Sequence, residues 1–299
     1  MTKMIKNNGF PYKVYSTLYD SCVNSISDYG SEVLGYGDYA SKQSLQLRAI
    51  RAFLGLPKNS CNAAVFSEFD WLQPHYRILK MQNSRLTKRI FRWDKQLNDL
   101  GLISTWSSEL KLILESNNKS YLYYYDSPFP LRLMCNQLKK HMMEQQNEAL
   151  KLQCLEKPKF RTFSKYKVFG ELPSYVSKPL SFVQRRCLSQ LRVGTLPIRL
   201  ETGRYCRPFL EEKDRLCQVC DTNSLGGNNI ENEHHFLFVC NAYSKLRNDW
   251  LEGLGLPDSF WTLPEYEMIG LVVNKSEFVR QTSNFVIGAF NMRSKTISK

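Results

Sequence analysis

Apolar residues recur every three or four positions over long stretches of this chain, with short breaks rich in glycine, proline and serine between them. This is the pattern of a mainly α protein. Val14, Leu18, Cys22 and Ile26 stand four apart and predict a first helix with that stripe turned inward. The glycine-bearing 28–39 stretch reads as loop. Ser41 can cap a second helix whose inner face carries Leu47, Ile50 and Leu54, with Gly55 and Pro57 to end it. A long basic helix follows, in which Ile78, Met81, Arg85, Lys88 and Arg92 mix apolar and basic residues on one stripe. Ser127, Pro128 and Pro130 mark a break. The longest uninterrupted helical pattern comes next, with Leu131, Cys135, Leu138, Met142, Ala149 and Leu152 on one face and Gln145 interrupting it. From Lys157 to Pro179, three prolines among Lys, Phe and Tyr predict a basic, extended connection. A helix then places Leu180, Val183, Cys187 and Leu191 inward and Arg185, Arg186 and Arg192 elsewhere, with Pro179 near its first turn and Gly194 past its end. Tyr243, Leu246, Trp250 and Leu254 predict another helix, and the run "EMIGLVVN" is a short strand or the start of a helix.

Charge narrows the range of partners. The 299 residues carry a formal net charge of +13, which favours a polyanion: nucleic acid first, an acidic membrane surface second. The excess is clustered. Twelve basic residues between Lys157 and Arg207 face only Glu171 and Glu201. A 42% hydrophobic content with 13% aromatics belongs to a folded chain, not a disordered tail. The longest apolar runs, such as "FLFVC", fall far short of the roughly 20 residues that a membrane span requires. Nine cysteines at irregular spacing do not read as a disulfide framework. They suit a reducing intracellular compartment, nuclear or cytoplasmic, in a protein that is not secreted.

Residues 217–240 read "CQVCDTNSLGGNNIENEHHFLFVC" and bring candidate chemistry. Cys217 and Cys220 are two residues apart, and His235 and Cys240 are four apart. Three thiols and an imidazole at these spacings suit a tetrahedral, structural Zn²⁺ with every position filled by protein. His234 is the rival to His235, since zinc also tolerates that spacing. The loop between the two pairs has almost no apolar content beyond Leu225 and Ile230, so a metal clamp would account for its closure. Cys22, Cys61, Cys135, Cys154, Cys187 and Cys206 lack partner spacing and read as core or free thiols.

The stretch "LRVGTLPIRLETGRYCRPFLEEKDRLCQVC", followed by "ENEHHFLFVCNAYSKLR", resembles the carboxy-terminal cysteine–histidine region of non-LTR retrotransposon reverse transcriptases. Leu191, Arg192, Gly194, Cys217, Cys220, Glu231, His235, Cys240, Tyr243 and Arg247 stand at the matching places. "VYSTLYDSCVNSISDYGSEVLGY", "LQLRAIRAFLGLPK" and "RLTKRIFRWDKQL" resemble the thumb and its extension in the same proteins. The resemblance implies a helical thumb-like bundle followed by a small zinc-stabilised helical module. It divides the chain into a thumb-like region at 1–110, a helical extension at 111–156, the basic connector at 157–178, the zinc module with flanking helices at 179–255 and a tail at 256–299. It implies binding to RNA template or target DNA, with no membrane and no small-molecule substrate. The family's paired catalytic aspartates have no counterpart, because no Asp-Asp occurs in this chain, so a non-catalytic fragment is expected. The connector mixes its charge with Phe160, Phe163, Tyr166, Phe169 and Tyr175, which suits phosphate contact plus base stacking. The expected nucleic-acid contacts are Lys159, Arg161, Lys165, Lys167, Arg185, Arg186, Arg204 and Arg207. The alternatives are a zinc-stabilised protein-interaction module with no nucleic-acid role, or part of an active RNA-directed DNA polymerase whose palm is absent from this chain.

Overall fold

The computed structural model describes residues 10–27, 39–72, 85–102, 105–116, 118, 120–124, 131–220 and 229–297. The 28–38 loop, Ile78, Met81, the 127–130 break and the 221–228 part of the metal segment lie outside these, as do the side chains of Arg85, Lys88, Leu131, Cys135 and Leu138. The described chain is α-helical, with short 3-10 and π turns and one isolated antiparallel bridge between Leu216 and Ile230. No helix among the described residues is long and apolar enough to cross a membrane. The chain forms two compact units that are each discontinuous in sequence. One comprises 1–13, 48–70 and 149–299; the other comprises 14–47 and 71–148.

In the second unit the first helix buries Tyr15 and Tyr19, not the expected stripe; Val14, Cys22 and Ile26 are exposed. The reason is aromatic: Tyr15 and Tyr19 stack on Trp71 at 6.1 and 4.4 Å between ring centroids. Trp71 therefore selects the helix face that turns inward. Gln46 and Gln146 donate to the carbonyls of Leu72 and Trp71 at 3.0 and 3.1 Å. In the Leu131–Leu155 helix this draws Gln146 inward, and the buried positions run Met142, Gln146, Leu150 and Cys154, four apart. The expected Ala149 and Leu152 are exposed instead.

The first unit is built round the Val279–Ile297 helix, against which the Phe182–Arg192, Ser244–Leu254 and Glu265–Asn274 helices pack. Trp250 stacks on Phe285 at 4.4 Å, and Val286 and Ala289 are buried beside it. "EMIGLVVN" is thus helical. Ser181 and Gln184 form a reciprocal cap at the start of the Phe182–Arg192 helix, and Gly194 takes φ +62° beyond its end. The inner face of that helix is partly the expected one: Leu180 and Leu191 are buried and Cys187 is half-buried. Val183 is exposed, while Arg185, Leu188, Ser189, Leu191 and Arg192 are buried.

The 157–178 segment is not extended. It folds into Pro158–Phe160, Phe163–Tyr166 and Ser174–Ser177, three short turns of helix. Phe160, Phe163 and Tyr166 stand three apart, so they fall on one side and bury together, with ring centroids 5.7 and 5.9 Å apart. Gly270 receives this layer: a Cβ there would lie 2.6 Å from Tyr166 Cβ, so the close approach requires glycine.

Beneath it lies a buried charge network. Glu68 accepts from Arg192 Nε and Nη2 at 2.7 and 3.0 Å, from Tyr175 Oη at 2.7 Å, and pairs with Lys167 Nζ at 3.6 Å. Arg192 also donates to Asn274 Oδ1 and the Val273 carbonyl, so every face of the guanidinium is used.

Cys61 shows a different electrostatic balance. Burial pushes its thiol up, but the Lys157 ammonium 3.0 Å away and the backbone amides of Ala64 and Ala63 outweigh burial and hold it below the usual thiol range. Alkylation of Cys61 is therefore expected to persist at pH values where an ordinary thiol is protonated. Lys157→Met should move its pH–rate midpoint upward by about one unit. Peptide-resolved iodoacetamide labelling across pH 6–10 measures this, and an unchanged midpoint refutes the assignment.

Candidate metal centre and basic surface

Two arms of backbone carry the four donors. The Cys217 arm pairs with the strand-like residues before Glu231: Cys217 N donates to the Asn229 carbonyl at 3.0 Å and Glu231 N to the Arg215 carbonyl at 3.0 Å. The second arm is the π-helical turn His235–Val239. Asn232 Oδ1 accepts from His235 N at 2.7 Å and fixes where that turn starts. Arg247, itself buried, holds the other end by donating to the carbonyls of Leu237 and Cys240 at 2.8 and 2.5 Å.

These arms bring the donor atoms of Cys217, Cys220, His235 and Cys240 within 4.8 Å of one another, where they can hold a metal ion. All four residues are buried. A tetrahedral ion bound to sulfur at about 2.3 Å separates its sulfurs by about 3.8 Å and a sulfur from a nitrogen by about 3.5 Å. Cys217 Sγ and Cys240 Sγ are 3.8 Å apart, and Cys220 Sγ and His235 Nε2 are 3.6 Å apart. These two spacings match a tetrahedral site. The histidine that faces the cysteines is His235. His234 turns away, with Nδ1 3.5 Å from Glu265 and its ring 5.5 Å from Phe238.

The thiols resist sharing a site unaided. A hydrogen bond from the Cys240 thiol, outweighing burial, brings Cys217 down to about 3. Burial and then the Cys217 thiolate push Cys220 up to about 11, and the Cys217 thiolate with burial drives Cys240 upward as well. One negative sulfur disfavours the ionisation of its neighbours, and a divalent cation held among them would remove that conflict.

Several residues of the resembling motif are not ligands but supports. Glu231 is wholly buried and accepts from Arg293 at both oxygens and from the backbone N of Arg199 at 2.7 Å. Arg215, also buried, donates to the carbonyls of Leu200 and Leu210 at 3.0 and 2.9 Å. A Cβ on Gly203 would come within 2.7 Å of the Arg215 side chain, so this glycine makes room for it. Tyr243 is buried against Phe236 at 5.4 Å. The Glu231–Arg293 pair has no local sequence signal, since its members are 62 residues apart.

The eight expected basic contacts separate into three groups. Lys167 and Arg185 are corrections: both are interior residues. Lys167 pairs with Glu68 and donates to the Glu171 carbonyl at 2.8 Å; burial, opposed by Glu68, lowers it to about 8. Arg185 lies over the Phe53 ring at 3.9 Å and donates to the carbonyls of Phe53, Phe10 and Leu180. A charged group whose donors end on interior carbonyls cannot reach a phosphate. Lys159, Arg204 and Arg161 are at or near the surface but matched by acids: Lys159 and Arg204 pair with Glu201, and Arg161 with Glu212 at 2.6 Å. Lys165, Arg186 and Arg207 are exposed with no acidic partner among the described residues. Lys165 lies over the Tyr266 ring at 4.8 Å. Of the expected stacking rings, Phe160, Phe163, Tyr166 and Tyr175 are buried and Phe169 is half-buried, so the connector's aromatics serve the core. Between Arg161, Lys165, Glu233, His234, Glu265 and Tyr266 lies an open cavity of about 150 Å³.

No family model, no curated protein and no solved structure matches this chain.

Proposed function

We propose that this chain is a non-catalytic nucleic-acid-binding protein, of the kind found at the carboxy-terminal end of non-LTR retrotransposon reverse transcriptases, with a structural Zn²⁺ at Cys217, Cys220, His235 and Cys240. The observation that carries the zinc is the donor set: three sulfurs and one imidazole at tetrahedral spacing, buried and with no position left for substrate. The metal would supply rigidity, fixing the Cys217 arm, whose Arg215 anchors the segment that bears Arg207. Support for a polyanionic partner comes from the +13 net charge and from Lys165, Arg186 and Arg207 standing free of acidic partners among the described residues.

Binding to a labelled RNA or DNA oligonucleotide is expected to weaken about tenfold or more between 50 and 200 mM salt. Reversing Lys165, Arg186 and Arg207 to glutamate should flatten the log–log slope by about two to three. Binding that ignores salt overturns the reading. A second reading, a metal-stabilised protein-interaction module, is favoured by one finding: Glu201 and Glu212 neutralise three of the expected basic contacts. Copurification with a protein partner and no nucleic acid would select it.

A further inference from the structure

The expected stacking rings are buried, yet the zinc-proximal segment exposes two others. Tyr205 is 64% and Phe209 is 65% exposed, the most exposed aromatic side chains among the described residues. They sit four apart, within about 14 Å even if the chain between them is fully extended, which is the reach of adjacent or next-adjacent unpaired nucleotides. The segment bearing them is anchored at both ends by one buried residue: Arg215 packs on Gly203 before it and donates to the Leu210 carbonyl after it. Cys206 ties its middle, accepting from Arg199 Nη1 at 3.4 Å and donating to the Thr202 carbonyl at 3.6 Å. The Arg215 guanidinium lies 5.4 Å from the Phe209 ring, supporting one face while the exposure leaves the other to solvent. Arg207 lies between the rings, with Arg204, paired to Glu201, beside them; of the acids that follow, Glu211 pairs with Lys213 at 3.0 Å and Glu212 with Arg161.

Two exposed rings on a pinned segment, set among arginines, suit a polyanion that offers apolar faces of its own. A duplex keeps those faces stacked inside; a single strand presents them. We propose that Tyr205 and Phe209 stack unpaired bases, with Arg207 on the adjoining phosphate, so that the preferred ligand is single-stranded. This rests on the nucleic-acid reading above.

The test uses the full chain, fluorescence anisotropy, and two labelled probes: a 12-nucleotide oligo(U) and a GC-rich RNA hairpin. Tyr205→Ala with Phe209→Ala is expected to weaken oligo(U) binding about tenfold or more per ring. The salt slope should stay unchanged, because no charge is removed, and hairpin binding should hardly change. Tyr205→Trp should retain binding, and an unchanged metal content shows that the variants fold. Salt-dependent binding that the double alanine variant leaves intact, or that it weakens equally on both probes, overturns the stacking proposal and leaves the nucleic-acid reading standing. Failure of the unaltered chain to bind either probe overturns both.

Discussion

A Cys217→Ser chain is expected to lose its metal and, with it, the order of residues 215–220 and 229–240. Protein prepared in the presence of zinc and without chelator should carry about one equivalent by elemental analysis, and the variant close to none. Structural zinc contributes about 10–16 kcal/mol of folding free energy in small modules. Here the loss falls on the two arms that carry the ligands. The Cys217 arm is attached through backbone hydrogen bonds at Asn229 and Arg215. Hydrogen exchange should therefore show the amides of Cys217 and Glu231 exposed in the variant, while those of the Val279–Ile297 helix stay protected. Acid should act in the same direction, because the ligands must be deprotonated to bind. Undiminished metal content in the variant would sink the ligand assignment.

Glu68→Ala is expected to cost about 3–5 kcal/mol, read as a fall in the denaturation midpoint. The side chain is completely buried and is the common acceptor for Arg192, Tyr175 and Lys167. Removing it strands two cations in the interior. The pH dependence follows from the direction of its shift. Burial pushes the carboxyl up, but Arg192 and Lys167 outweigh burial and hold it below its ordinary value of 4.5. The folded state thus prefers the ionised form. That stability is present above about pH 4.5 and is lost as pH falls through the lower, folded value. Glu68→Gln should flatten this limb of the acid-unfolding curve. A variant as stable as the unaltered chain, with the same acid limb, would remove the network from any account of stability.

The metal site was legible because its information is local. Two spacings, two residues and four residues, each bring a pair of ligands together through one turn of backbone. Choosing between His234 and His235 needed the fold, since the choice depends on where Asn232 starts the turn. The helical class was equally legible from periodicity. The facing of individual helices was not: Trp71 draws in Tyr15 and Tyr19, and it lies more than fifty residues from either. Arg185, Arg192 and Lys167 look like surface charge in any local window. Their true partners, Phe53 and Glu68, are about a hundred residues or more away. Charge counting overestimated the phosphate-facing surface for that reason. The exposed Tyr205 and Phe209 were passed over because the sequence offered a denser aromatic run just upstream, which the core consumed.

The interrupted layout of the first unit sets the order in which a nascent chain can mature. Residues 14–47 and 71–148 have all been synthesised before residue 149, so the second unit can condense while the first is still fragmentary. Glu68, by contrast, must wait for Arg192, 124 positions later. At about 5–20 residues per second that delay is roughly 6–25 s. Through this interval a carboxylate destined for the interior stays hydrated, and the Phe53, Phe66 and Phe69 rings lack their final neighbours. Ribosomal pausing inside 149–192 would lengthen that exposure while giving the already synthesised second unit time to condense, whereas pausing inside 71–148 would lengthen it with the second unit still incomplete.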